Sequence, residues 1–195
     1  MNYHNIKIRS KNKNMAILEI RNFPDPILRQ VSKEVDYVSD EIRKLMDDMM
    51  ETMYSNNGVG LAAVQIGILK RILVMDTLWD SKRYKNKQNE VGEHDGKIFM
   101  ANPKIIKSSR ELSAYKEGCL SFPGLESSVE RPGSVEIEYL DYYNKKQILK
   151  TANSLLAVCV QHEIDHLNGI TFIDKISKLK RDMILKKIKK QNAKF

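Results

Sequence analysis

His162, Glu163 and His166 stand as H-E-x-x-H, directly after an unbroken apolar run over residues 155–160. Asn153-Ser154 supplies an N-cap before that run and Asn168-Gly169 a stop after it, so the pattern predicts a helix with both histidines on one face. Two imidazoles four residues apart can grip one metal, with Glu163 beside them as a candidate base. The plainer alternative is a core helix that happens to carry two histidines. The chain has only four histidines, and two of them at this spacing around a Glu favour the metal.

A catalytic metal usually keeps three protein ligands and one open position. In one H-E-x-x-H group the third ligand is a His in H-E-x-x-H-x-x-G-x-x-H. Gly169 satisfies the glycine here, but Phe172 stands where that His belongs. In another group the third ligand is a Glu well downstream, and no Glu follows Glu163. The third ligand therefore lies upstream or is an Asp such as Asp165, Asp174 or Asp182. Cys119 is the strongest upstream candidate, in a segment where Gly118, Pro123 and Gly124 predict a shaped loop. Alone, a cysteine is more often a small core residue. Beside an unfilled metal site, a thiolate ligand is the better reading. A third segment, residues 58–67, is rich in small residues and lacks the Gly-Lys-Ser/Thr ending of a phosphate loop. It offers close backbone approach and one neutral amide, Gln65, which suits an oxyanion or, more plainly, caps a buried backbone group.

Positioning these residues takes helices and strands together. Ser39-Asp40-Glu41 opens a helix whose stripe of Ile42, Leu45, Met46, Met49, Met50 and Met53 is core, and Asn56-Asn57-Gly58 ends it. Phe23-Pro24-Asp25-Pro26 reads as extended or turning and not helical. Residues 71–76 read as a buried strand, and 98–101 and 104–107 as short strands around Asn102-Pro103. Val135, Ile137 and Tyr139 alternate with Glu136 and Glu138, and Asn144-Lys145-Lys146 turns that strand back into residues 147–151 as a hairpin. Residues 80–97 read as an exposed loop, with His94 on the surface. Clustered strands flanked by helices predict an α+β fold. Its antiparallel β-sheets pack around the central metal-binding helix, with an N-terminal and a C-terminal helix.

Composition sets the frame. A chain of 195 residues, 42% hydrophobic and 30% charged, suffices for one soluble domain with a core, here residues 15–195. No apolar run approaches the roughly 18 residues of a membrane span. Residues 1–14 are polar and basic, lack the apolar centre of a secretory signal, and hold few Ser or Arg for a transit peptide. They read as a disordered N-terminal extension. Cys119 and Cys159 are the only cysteines, too few for a disulfide framework, which points to a reducing compartment. Much of the +8 net charge is local, with nine Lys or Arg in residues 175–194. Ile176, Leu179, Met183, Ile184 and Ile188 recur there at near-helical spacing, giving a basic amphipathic helix over about 175–192. On charge alone this is a solvated face; the sharper alternative is a polyanionic partner such as RNA.

Three segments, in order, resemble the hallmarks of the peptide deformylase family. Residues 58–65 match G-h-G-L-A-A-x-Q (h apolar), 117–121 match E-G-C-L-S, and 161–166 match Q-H-E-h-D-H. Residues 15–18 before 24–29 resemble the family's usual start. The resemblance implies that Cys119, His162 and His166 hold one divalent metal, usually Fe(2+) in this family, with Zn(2+) or Ni(2+) able to occupy the site. It implies Glu163 as the base toward water, and the Gln65 amide with the Leu120 backbone N–H as oxyanion donors. The substrate implied is an N-formylmethionyl nascent peptide, from which formate is released. Leu155, Val158 and Cys159 then line the methionine pocket, with Val59 contributing and His162 closing one side. Tyr115 takes a pocket position that is often aliphatic. The peptide backbone would pair in β fashion with the Gly58-Val59-Gly60 strand and with the loop after Phe122. Glu126 stands where some relatives carry a basic residue, and a polar link between Arg131 and Glu117 would tie two loops behind the metal.

In bacterial relatives a basic C-terminal helix docks at the ribosome's exit tunnel, which gives the charged segment a partner. A monomer in bacterial cytoplasm, with no membrane association, completes the expectation. Two competing readings weaken on inspection. A metalloprotease needs a downstream third ligand that is missing, and a ribosome-binding factor with a relic site would have lost residues that all stand here.

Overall fold

In the computed structural model, which describes residues 9–12, 15–78 and 96–192, three antiparallel sheets are combined with three helices. β1 (Arg9–Asn12) pairs with β2 (Met15–Ile17). A 3-10 turn over Pro26–Arg29 leads to α1 (Asp40–Ser55) and β3 (Gly60–Ala62). A second 3-10 turn over Ala63–Ile66 precedes β4 (Ile72–Met75) and β5 (Ile98–Ser108). Two hairpins follow, β6 (Leu112–Gly118) with β7 (Glu126–Pro132) and β8 (Val135–Leu140) with β9 (Lys146–Lys150). Then come α2 (Leu155–Leu167), a third 3-10 turn over Phe172–Asp174, and α3 (Lys178–Asn192). The fold is the expected α+β with antiparallel sheets.

The main sheet runs in the order β3-β4-β5-β8-β9. Its β4 strand explains how the site is placed. All four residues are buried, and alternate side chains point to opposite faces. Ile72 and Val74 join the core built by the α1 stripe, while Leu73 and Met75 join Val160, Ile164 and Leu167 of α2. A strand covered on both faces reads as a continuous apolar run. The predicted α1 stripe is buried throughout. A third core joins Phe122, Leu125 and Val129 to Phe172, Ile173, Ile184 and Ile188, so α3 is anchored to the domain by one face.

Four features depart from the sequence reading. Pro26 opens a 3-10 turn, with the Asp25 carboxylate accepting from Ile27 N at 2.9 Å; proline's missing N–H costs nothing at a first helical position. Asn102-Pro103 does not break β5 into two strands. The chain absorbs it as a bulge, with Asn102 at φ 52° and the register shifting between Ala101 and Lys104. The β6–β7 hairpin was not anticipated. Finally, α3 begins at Lys178, where the Ser177 hydroxyl accepts from Lys180 N at 3.5 Å. Apart from Arg9–Asn12, the expectation for residues 1–14 lies outside the described residues, as do nearly all of the 80–97 loop and His94.

Candidate metal centre and active site

Local chemistry fixes α2. The Ser154 hydroxyl accepts from Ala157 N at 3.4 Å at the start, and Asn168 caps the end. Gly169 follows at φ 72°, where an added Cβ would lie 2.5 Å from the Arg29 carbonyl oxygen, so only glycine fits. With its apolar face committed to the sheet, α2 turns His162 and His166 to the same side, ring centroids 4.9 Å apart. Cys119 follows β6 directly, in a turn closed by Phe122 N donating to Cys119 O at 2.9 Å. Phe122 holds that turn down by ring contacts of 5.0 Å to Phe23 and 5.1 Å to Phe172.

The ligand atoms of Cys119, His162 and His166 all lie within 4.8 Å of one another. Cys119 Sγ is 3.1 Å from His166 Nε2. Asp165, Asp174 and Asp182 are outside this cluster. Asp165 binds Arg131 and Lys175, Asp174 binds Arg29 and Thr171, and Asp182 is exposed on α3. The link between Arg131 and Glu117 is present, bidentate at 2.5 and 3.0 Å, and it spans the β6–β7 hairpin. Glu117 Oε2 in turn lies 2.8 Å from His162 Nδ1. Holding the proton on Nδ1 leaves the Nε2 lone pair free for a cation.

The donor set fits a metal ion. Burial alone would push the His162 imidazole down, yet Cys119 and Glu117 raise it well above its ordinary value. Burial and the neighbouring His162 push His166 well below its own. A thiolate and two imidazole nitrogens are the ligand types that divalent transition metals take.

Glu163 lies beside the cluster. Its Oε2 is buried without a hydrogen-bond partner. Burial pushes the carboxyl up to about 7, against the opposing charges of His162 and Arg131. On the other side stands Gln65, whose two amide ends are bound differently. Its Oε1 accepts from Ala62 N at 2.8 Å, which fixes the side chain so that Nε2 points toward Ser121 Oγ at 3.2 Å and Cys119 Sγ at 3.5 Å. Gln65 thus caps a backbone group and aims a neutral donor at the cluster. Ser121, fully buried, was missed as a partner; its place inside E-G-C-L-S was the available signal.

The remaining expected site residues come from α2, from β3 and the residue before it, and from β6 and the turn after it. Val59, Gly60, Val158 and Cys159 come together: Cys159 Sγ donates to Val59 O at 3.5 Å, and a Cβ on Gly60 would meet Cys159 Sγ at 2.7 Å. Leu155 precedes them by one turn of α2, half-buried. Tyr115 stands on β6 in register with Val129 and is also half-buried. Leu120, next to Cys119, packs on the α1 core. Glu126 pairs with Lys116 at 2.5 Å.

A Cys-His-His cluster beside a buried carboxylate and an oriented amide, held between a sheet and its covering helix, defines a metal-dependent hydrolase. The chain belongs to the polypeptide deformylase family, whose model matches residues 17–182. It is 48% identical to a peptide deformylase of Rhizobium meliloti (strain 1021) over 176 residues, covering 90% of this chain and 94% of that protein. Against a peptide deformylase of Pelagibacter ubique (strain HTCC1062) it is 49% identical over 177 residues, covering 90% and 95%. Among solved structures, the peptide deformylase from Ehrlichia chaffeensis superposes with a TM-score of 0.80 at 44% identity, covering 91% of this chain and 98% of that one. The same enzyme in complex with actinonin also gives 0.80, covering 90% and 97%.

Proposed function

We propose that Cys119, His162, Glu163, His166, Gln65 and Leu120 are the working groups of the deformylase reaction. That reaction is hydrolytic removal of the N-formyl group from the N-terminal formylmethionine of nascent polypeptides, with release of formate. The observation that carries the assignment is the convergence of three ligand atoms within 4.8 Å beside the buried Glu163 carboxylate, whose Oε2 has no hydrogen-bond partner. Cys119 Sγ and the Nε2 atoms of His162 and His166 would hold a divalent metal. When bound, it supplies Lewis acidity that acidifies water and polarises the formyl carbonyl.

Glu163 takes the proton from the attacking water and later returns it to the leaving amine. A carboxyl pushed up to about 7 is matched to that two-way transfer near neutral pH. Gln65 Nε2 donates to the oxygen that gains charge, and the Leu120 backbone N–H is the second donor; each such donor is typically worth about 3 kcal/mol. Leu155, Val158, Cys159 and Val59 receive the methionine side chain, Gly60 lets the peptide approach, and Tyr115 borders the pocket.

Fe(2+) is the physiological metal in this proposal, although the same ligands suit Zn(2+) or Ni(2+). Anaerobic iron loading then gives faster turnover than zinc, and equal rates would refute the choice. The exposed basic face of α3, with Lys186, Lys187 and Lys190, is the proposed ribosome contact of a monomeric cytoplasmic enzyme. No described helix is long and apolar enough to cross a membrane.

The deciding experiment is formate release from formyl-Met-Ala. Glu163→Ala lowers kcat by roughly 10²–10⁴-fold while metal content is retained. Full activity in that variant refutes the mechanism.

A further inference from the structure

The ion chain behind His162 does not end at Glu117. Arg131 grips both Glu117 oxygens and gives its Nη1 to Asp165 Oδ2 at 2.7 Å. Asp165 Oδ1 meets Lys175 Nζ at 3.3 Å. The line thus runs from an ammonium whose side chain is 39% exposed, through Asp165 at 13%, to Arg131 and Glu117 at 5% and 4%. It finishes at His162 Nδ1.

The signs alternate along this line, and that alternation predicts more than bracing. Arg131 acting on Glu117 alone would draw the carboxylate's electrons away from His162. Asp165 shares the Arg131 charge and returns basicity to Glu117. A more basic Glu117 holds the His162 Nδ1–H more strongly and makes Nε2 the better electron donor. Lys175 opposes Asp165 in the same way, with its effect weakened by solvent. Asp165 also lies on α2 itself, three residues after His162, so the line closes back onto the helix it supports.

We propose that Asp165 is a positioning residue for the metal centre, acting through Arg131 and Glu117 to strengthen His162 as a ligand, with Lys175 as its weaker counterweight. The inference rests on His162 being a ligand, as argued above.

Zinc affinity of the full chain, measured by chelator competition, tests it without using activity. Loss of an outer partner of a ligand typically costs about 10–100-fold in metal affinity, and Asp165 acts at one remove. Asp165→Asn, which keeps shape and removes charge, therefore weakens zinc binding about ten-fold, and Asp165→Glu restores most of it. Lys175→Glu adds negative charge at the surface end and tightens zinc binding about two- to three-fold, the scale of a solvent-exposed ion pair. A merely structural brace predicts the opposite sign for Lys175→Glu. Wild-type affinity in Asp165→Asn, or unchanged or weakened affinity in Lys175→Glu, overturns the proposal. If Asp165→Asn does not fold, Lys175→Glu decides alone. His162→Ala tests the underlying reading separately, because it abolishes tight zinc binding only if His162 is a ligand.

Discussion

Gly60→Ala probes the placement of Glu163 more sharply than deleting Glu163 does. Gly60 is in β3 and lies outside the positive-φ glycines, so a methyl group is excluded by space and not by backbone strain. The added Cβ would lie 2.5 Å from Glu163 Oε1 and 2.7 Å from Cys159 Sγ, where ordinary contact begins at 3.4 Å. Glu163 Oε1 must therefore retreat by roughly 0.9 Å, the difference between those distances. The opposite face of α2 is packed into the sheet through Val160, Ile164 and Leu167, so the carboxylate moves and the helix does not.

A catalytic group misplaced by about 1 Å costs on the order of 10²-fold in rate, and overpacking costs about 1–3 kcal/mol of stability. Steady-state formate release from formyl-Met-Ala, run beside metal analysis and thermal unfolding of the same preparation, reads all three quantities. The expected variant is folded, carries its metal, and has kcat about 100-fold down. A raised KM with unchanged kcat would mean that the methyl only obstructs the peptide, and the reasoning would fail. Adding Cys159→Ala removes the sulfur contact and leaves the carboxylate contact, so the double variant stays slow. Full rescue by Cys159→Ala would equally refute it.

Three further outcomes follow from the geometry. Gln65→Ala removes one oxyanion donor and lowers kcat about 100-fold with little change in metal content; a loss under three-fold would show that the amide serves only Ala62 and Ser121. At Asp174, burial raises the carboxyl, but hydrogen bonds from Arg29 and Thr171 outweigh it and hold the group below its ordinary value of 3.8. A depressed carboxyl stabilises the fold above that value, and the contribution is lost as pH falls through the lower folded-state value. Asp174→Asn should thus cost up to about 1 kcal/mol near neutral pH, the scale of a partly exposed ion pair, with the gap to wild type closing below pH 3.8 in urea unfolding; a constant gap would contradict the assignment. Charge reversal at Lys186, Lys187 and Lys190 leaves formyl-Met-Ala turnover unchanged and removes salt-sensitive ribosome binding in co-sedimentation. Retained binding would sink the docking role. Charge reversal is the better test than truncation, because Ile184 and Ile188 of α3 are buried in the third core.

The metal helix was legible because everything that makes it is local: a serine cap, an apolar run, an i,i+4 histidine pair and a glycine stop. Cys119 was legible as a candidate by the failure of the downstream ligands and by its motif. The β6–β7 hairpin was not, because its strands barely bury anything. Glu117 is the one buried side chain of β6 and it is charged, so no alternation of apolar residues announced the strand. Asn102-Pro103 looked like a break because local turn chemistry favours one. Tertiary structure overrides it: the Asn102 amide holds Val35 N at 2.9 Å and Val35 O at 2.7 Å, across 67 residues of sequence. The burial of Ile184 and Ile188 was hidden in the same way, since their partners Phe122 and Phe172 are supplied by other segments.

These long-range contacts are what convert a motif into a site. H-E-x-x-H by itself leaves the rotamers of both imidazoles open and the tautomer undefined. Glu117 settles His162 by accepting from Nδ1, and Arg131 in turn fixes Glu117. The Cys119 turn is held against His166 by the ring contacts of Phe122 with Phe23 and Phe172, which owe nothing to metal chemistry. Gln65 is turned the right way by a backbone N–H three residues earlier. His162, Cys119 and Gln65 are therefore each positioned by a partner that is not itself in the cluster. Catalytic preorganisation requires donors held in place before charge develops. The outer partners carry that requirement here, and substitutions among them should alter metal affinity and rate without removing any of the cluster's own ligands.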